Sequence, residues 1–306
     1  MLDQVTFHQL ELFLLAAKLK NFSKSAERMA ISQPAFSAQI IKLESILGIP
    51  LFERIGRKVE LTEAGALFAE YAQQITSALR EGKQALDDMS SSVMGTLRIG
   101  ASTTIANYIL PDYLGCFRKS FPECMIEMTV NNTDLIEQAI LYNEIDLGLV
   151  EGPLQHPGKV NSSLFMKDEL VVVFSSSHRF FGRSQISLED FRGEPLILRE
   201  KGSGTRKVFM GAMDMDHDPL KVVMELGDTE AIKRMLESDS GVAVISLSAV
   251  HREVKSKSLA MARIKGCPMP RLFNMILLKG KYMSNPVQEF IRILDPLEKP
   301  AIVPAP

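Results

Sequence analysis

The stretch SKSAERMAISQPAFSAQIIKLESILGIPLFERIGRKVELT, residues 23–62, leaves this chain few choices. Ser23 predicts an N-cap for a helix over Lys24 to Met29, with Ala26 and Met29 facing inward. Ala30 and Ile31 supply a turn. Ser32 then caps a second helix that takes Pro34 in its first turn, where a missing N–H costs nothing. Phe36, Ile40, Leu43 and Leu47 recur at three- and four-residue steps and give that helix one core face. Gln33, Ser37 and Lys42 are left on its other faces, and Gly48 is expected as a left-handed C-cap. Two strand-like runs, 51–54 and 59–62, flank Ile55-Gly56-Arg57-Lys58. A hairpin turning at Gly56 sends Arg54, Arg57 and Lys58 outward together.

A capped helix presenting small polar side chains beside a wing of arginines is what reading double-stranded DNA requires. The helix fits the major groove, and the cations meet phosphate or a narrow minor groove. On this reading Gln33, Pro34 and Ser37 meet base edges. Ser32 binds phosphate at the helix N-terminus, and Arg54 and Arg57 serve the wing.

Before this stretch, Phe7, Leu10, Phe13, Leu14 and Ala17 predict a first helix over 7–20, with Phe22 plugging the junction. After it, Thr62 and Glu63 open a long helix to about Met89. Leu67, Phe68, Tyr71, Ile75, Ala78, Leu79, Ala85, Leu86 and Met89 line that helix at near-heptad spacing. A lone helix cannot bury such a stripe against a small head, so pairing with a second copy is the economical solution. Residues 87–92, short and polar, read as a linker.

The N-terminal run resembles the winged helix-turn-helix of LysR-type transcriptional regulators. The resemblance is carried by Phe13, Ala17, Asn21-Phe22-Ser23, Ala26, Ser32-Gln33-Pro34-Ala35 and Ser37. It continues through Ile40, Leu43-Glu44, Leu47-Gly48, Leu51-Phe52, Arg54, Arg57, Leu61-Thr62 and Gly65 without a gap. It implies a prokaryotic-type regulator that binds a partly palindromic promoter site. It also implies a homodimer through an antiparallel contact of the long helices, commonly a tetramer, and contact with RNA polymerase.

From Gly95 onward strands alternate with helices. Strands are expected at 96–101, 125–130, 146–150, 170–174, 195–198, 221–225, 241–245 and 272–278. Helices are expected from Ser102 toward Leu114, near Thr133, over 203–213, over 228–238 and over 286–293. Such alternation implies parallel sheet covered by helices. It divides here into two α/β lobes joined by crossing strands, with a cleft between them. The family resemblance extends over this region, which looks like a LysR effector domain akin to periplasmic binding proteins. The expected division is therefore 1–61 for the winged helix-turn-helix and 62–92 for the linker helix and hinge. Residues 93–306 form the effector domain, with lobes at about 93–165 plus 268–306, and 166–267.

Ligands of open α/β sheets sit at the carboxyl ends of strands. Ser102, Thr103 and Thr104 hold such a position after the first strand, and Thr133, with Asn132, after the second. Ser203, Gly204 and Thr205 follow another within Gly-Ser-Gly-Thr-Arg, where glycines let backbone N–H groups converge on an anion near Arg206. Thr229 is a further candidate. A carboxylate-, sulfate- or phosphate-bearing small-molecule effector fits this chemistry, and no cofactor is expected. The Gly-Ser-Gly-Thr-Arg loop looks most like LysR members controlling sulfur assimilation or carbon fixation.

Charge points the same way. Residues 1–62 hold eight Lys and Arg against six Asp and Glu, +2, while the whole chain is −2, so the body is −4. An enzyme is disfavoured. The glycine loop lacks the Lys-Ser/Thr of a nucleotide-binding P-loop, no Gly-x-Gly-x-x-Gly follows a strand, and the five histidines have no zinc or triad spacing. No secretory leader or membrane span is read in the sequence, against a transport binding protein and in favour of the cytoplasm. Cys116, Cys124 and Cys267 are odd in number and without metal-ligand spacing, as suits a reducing compartment. The resemblance disfavours a redox switch, because Cys116 and Cys124 fall in the first lobe, whereas in peroxide-sensing LysR relatives the reactive pair lies in the second.

Overall fold

In the computed structural model, residues 4–55, 58–89, 93–213 and 220–295 are described. The chain divides into two compact units, Met1–Met89 and Ser90–Pro306.

The first unit opens with α1 (Phe7–Leu19), whose N-terminus carries a capping box between Thr6 and Gln9. Next comes α2 (Phe22–Arg28), whose N-cap is Asn21 rather than Ser23: the Asn21 carboxamide oxygen accepts from Lys24 N at 3.0 Å. Asn and Ser cap about equally well, and here the earlier residue takes the position, so Phe22 becomes helical. Its ring still closes the junction, 5.6 Å from Phe36 and 5.2 Å from Phe52. Ala30 takes φ 53 in the turn.

Helix α3 (Gln33–Leu47) runs from the Ser32 N-cap to Gly48 at φ 72, with Phe36, Ile40 and Leu43 buried. Strands β1 (Phe52–Ile55) and β2 (Lys58–Leu61) pair antiparallel, Ile55 opposite Lys58. The long helix α4 (Glu63–Asp87) starts from Thr62, whose hydroxyl accepts from Gly65 N. A Cβ on Gly65 would lie 2.0 Å from the Leu51 carbonyl oxygen, so glycine is what lets α4 start against the wing. The expected apolar stripe divides. Phe68 and Ala72 pack into the head core, while Leu67, Tyr71, Ile75, Leu79 and Leu86 are each more than half exposed. The linker expected at 87–92 falls partly at 90–92, outside the described residues.

The second unit is built on a ten-stranded sheet among the described residues. Its first half holds β3 (Gly95–Ser102), β4 (Cys124–Asn131) and β5 (Leu147–Glu151), all parallel. Helices α5 (Thr103–Tyr108), α6 (Leu110–Ser120), α7 (Thr133–Leu141) and α12 (Asn285–Leu294) pack on it. The single helix expected after Ser102 breaks at Ile109, because Pro111 has no N–H for the preceding turn and its ring opposes the carbonyl there. The second half holds β8 (Leu196–Arg199), β9 (Val222–Leu226) and β10 (Val242–Ser246), also parallel. It carries α9 (Gly204–Ala212), α10 (Thr229–Glu237) and α11 (Leu247–Ser256).

Two long strands join the halves. β6 (Val160–Ser175) pairs with β12 (Pro270–Leu278) along its first part and with β10 along its second. The strand expected at 170–174 thus starts ten residues earlier, at Val160. Residues 161–164 are exposed and mostly polar, so only the buried run Leu170–Phe174 carries a strand signature. β11 (Leu259–Ile264), β7 (Gln185–Ile186), α8 (Leu188–Arg192) and α11 were not anticipated. The proline-rich tail expected to fray lies at 296–306, outside the described residues. Each half has its own aliphatic and aromatic core.

Candidate functional site

In the head, α3 presents Ser32, Gln33 and Pro34 to solvent, with Ser37 half-buried behind them. The Ser32 hydroxyl accepts from Ala35 N at 3.3 Å, and Gln33 Nε2 donates to Ser37 Oγ at 2.8 Å. Gln33 and Ser37 thus form one ordered polar surface one turn apart on the helix. Glu44, further along the helix, accepts from Leu51 N at 2.7 Å and Phe52 N at 3.1 Å, tying the wing base to α3. Arg54 belongs to β1, but its side chain and Arg57 lie outside the described residues.

In the second unit Ser102, Thr133, Gly204 and Thr205 come together where β3, β5, β6 and β12 meet the second half. Ser102, Thr104, Thr133, Ser203, Thr205 and Thr229 are all buried to 1 % exposure or less, while Thr103 is half-buried. Ser102 is the N-cap of α5, yet its hydroxyl donates to Glu151 Oε2 instead of capping the helix. Thr133 Oγ1 donates to the Glu151 carbonyl at 2.9 Å.

From the other half, Ser203 caps α9 and Gly204 packs onto Glu151. An added Cβ there would come within 2.0 Å of the Glu151 carbonyl oxygen and 2.7 Å of Thr133 Oγ1. The second glycine of Gly-Ser-Gly is needed for this close approach of the two halves.

The cation at this junction is not Arg206. Arg206 turns away to Glu225, 2.7 Å, and to the Arg199 carbonyl, 3.0 Å. Its hydrogen bond holds the Glu225 carboxyl below the usual carboxylate range. Arg271, near the start of β12, takes the place. Its side chain is fully buried, and it donates from Nε to Asp168 at 2.6 Å and from Nη1 to Thr205 Oγ1 at 2.8 Å. Nη1 also lies 3.5 Å from Glu151 Oε1. Asp168 is further held by Ser246 Oγ at 2.8 Å and Ser248 Oγ at 3.0 Å. Nη2 of Arg271 is buried with no hydrogen-bond partner among the described residues. Because Thr205 accepts from Arg271, its hydroxyl hydrogen remains available to a ligand.

Thr229 stands apart from this group. It is the first residue of α10, capped by Asp228, and its hydroxyl accepts from Arg199 Nη1 at 3.0 Å.

Two contacts bridge the halves beside the cluster. Lys207 of α9 pairs with Asp134 of α7. Tyr108 of α5 donates to Glu230 of α10, while Lys233 Nζ lies 4.8 Å from the Tyr108 ring centroid. Burial and the Glu230 carboxylate push the Tyr108 phenol above its ordinary range. Burial alone would raise Glu230, but hydrogen bonds from Lys233 and Tyr108 outweigh it and hold that carboxyl low. Burial pushes the Cys124 thiol up, away from the thiolate a redox switch uses.

The comparisons with known proteins fall on both units. Residues 7–66 match the bacterial regulatory helix-turn-helix protein model of the lysR family, and residues 90–297 match the LysR substrate binding domain. The chain belongs to the LysR family. The transcriptional activator CmpR of Synechocystis is 33% identical over 293 residues, covering 96% of each chain. The Synechocystis CcmR regulatory domain, solved in complex with 2-PG, is 30% identical, with a TM-score of 0.63 over 68% of this chain and 99% of that one. CbnR, solved full-length with its target DNA, shares the fold at 23% identity, with a TM-score of 0.65 over 95% of this chain and 99% of its own.

As a LysR-family member the chain is a DNA-binding transcriptional regulator with a small-molecule effector domain, not an enzyme. No helix among its described residues is long and apolar enough to cross a membrane. Beside the hydroxyls expected from the sequence stand Glu151, Asp168, Arg199 and Arg271, buried charges that were not among the expected site residues. The available signal was charge at the ends of apolar strands: Glu151 is the last residue of Leu147–Glu151, and Arg271 is the second of Pro270–Leu278.

Proposed function

We propose that this LysR-family regulator binds a small carboxylate-, sulfate- or phosphate-bearing effector between the two halves of its second unit. Arg271 is the counter-charge, and Ser102, Thr133 and Thr205, with Ser203 and Gly204 behind them, supply the polar wall. Thr103, Thr104 and Thr229 flank it. The observation that carries this reading is the buried guanidinium of Arg271, whose Nη2 is unpartnered beside Thr205. A buried donor without a partner is costly, and an acid oxygen satisfies it. The phosphate ester 2-phosphoglycolate, which CcmR holds as 2-PG, is the ligand to try first. Calorimetric titration of 2-phosphoglycolate into the full chain should show binding that Thr205→Val weakens by about tenfold, equivalent to about 1.4 kcal/mol. Equal affinity in wild type and variant would remove the cleft from consideration.

The same proposal assigns the head. Gln33, Pro34 and Ser37 read base edges, Ser32 holds phosphate, and Arg54 and Arg57 serve the wing. Support comes from the exposed Gln33–Ser37 pair on a helix whose other face is core. Residues 1–61 act as the reader, 62–92 as linker and dimerisation helix, and 93–306 as the effector domain. The exposed row Leu67, Tyr71, Ile75, Leu79 and Leu86 takes a second copy, and dimers pair into tetramers that contact RNA polymerase in the cytoplasm. An effector that binds one arrangement of the halves better than another then changes the spacing of the DNA-reading heads.

A further inference from the structure

The cleft cluster carries more negative than positive charge. Glu151 and Asp168 both face Arg271, so these three side chains sum to −1, whereas the effector proposed above is an anion. The two carboxylates are held very differently. Asp168 accepts from Arg271 Nε, Ser246 and Ser248, and is fully engaged in joining β6 to β12 and β10. Among the described residues the Glu151 carboxylate accepts a hydrogen bond only from Ser102, through one oxygen, and its other oxygen stays 3.5 Å from Arg271 Nη1. Its backbone is secured independently, by pairing with Phe273 and by the Thr133 hydroxyl on its carbonyl. The Glu151 side chain can therefore leave without disturbing the strand.

We propose that Glu151 is a resident competitor for the effector: in the ligand-free protein its carboxylate occupies the Ser102 and Arg271 positions that the ligand's acid group takes. Binding is an exchange of one carboxylate for another anion. The Glu151 side chain swings out, Ser102 and Arg271 transfer to the ligand, and Thr205 adds its free hydroxyl hydrogen. This makes Glu151 a specificity-determining residue. A neutral polyol gains too little from Arg271 to displace an internal ion-pair partner, whereas a dianion gains enough. The proposal rests on the effector reading of the preceding section.

The test is calorimetric titration of inorganic phosphate and of the phosphate ester used above into full-length wild type, Glu151→Gln and Glu151→Asp. Glutamine keeps the shape and the acceptor for Ser102 while deleting the charge. It should tighten binding of both anions by at least about tenfold, since a buried like charge against the ligand is removed. Aspartate, which keeps the charge, should bind no more tightly than wild type. Glu151→Ala, which deletes both charge and chain, should move in the same direction as Gln. A melting curve of each variant without ligand establishes that it is folded. Wild-type binding with no tightening in either Gln or Ala overturns the competitor role and leaves the effector reading standing. No binding by wild type or any variant overturns both.

Discussion

Arg271→Met is the perturbation whose cost can be worked most directly from the structure. The methionine fills the volume of the buried stem, so no large cavity forms, and the loss is electrostatic. The substitution removes the partner of Asp168 at 2.6 Å and the nearest cation to Glu151 at 3.5 Å. Stranding a charge by removing one member of a buried pair costs about 3–5 kcal/mol. Asp168 keeps the Ser246 and Ser248 hydroxyls, so the lower end, about 3 kcal/mol, is expected. For a unit of this size each kcal/mol lowers the midpoint by about 2–4 °C, which gives a fall of about 6–12 °C in scanning calorimetry. The second substitution of a cycle, Asp168→Asn, should cost less in the Arg271→Met background than alone, because it then deletes a stranded charge. A cost below about 1 kcal/mol for Arg271→Met, or strict additivity in the cycle, would refute the account of this cluster.

Gly65→Ala should destabilise the head by about 1–3 kcal/mol through overpacking, because its Cβ would meet the Leu51 carbonyl at 2.0 Å; thermal melting reads this directly. Replacing Ile75 and Leu79 together by Glu should convert the protein to a monomer in analytical ultracentrifugation, and an unchanged dimer would clear α4 of the role given to it. The Tyr108 contact predicts a pH effect of definite sign. A phenol whose titration is raised by folding contributes stability below its ordinary value of 10.0 and loses that contribution as pH rises through the raised one. Alkaline loss of stability should therefore be shallower in Tyr108→Phe than in wild type, as followed by urea denaturation across pH 9–11. Identical slopes would mean the phenol is not held by Glu230.

Local signals were legible in the sequence and distant ones were not. Ser32, Gly48 and Thr62 each cap a helix using groups within four residues, and all three stand where their side-chain chemistry predicts. Ser23 lost its cap to Asn21 because two competent caps lay two residues apart, and only packing of Phe22 decides between them. Between the halves, buried hydroxyls after strands could be expected from pattern, but the buried charges beside them could not. Arg206 is adjacent in sequence to Thr205 and yet pairs with Glu225, while Arg271 reaches Thr205 across 66 residues and Asp168 across 103. That pairing depends on the register of β12 against β6, which places Arg271 opposite Asp168 and follows from no local periodicity.

A ligand bound between the halves is proposed to change how the heads engage DNA. The direct measurement is the length and position of the footprint of full-length protein on its own promoter, with and without a cleft ligand, for wild type and Thr205→Val. The footprint should shift with ligand in wild type, and in Thr205→Val the same shift should need about tenfold more ligand. A ligand that calorimetry shows bound to wild type but that leaves the footprint unmoved, or a shift that comes at the same ligand concentration in Thr205→Val as in wild type, would contradict that coupling.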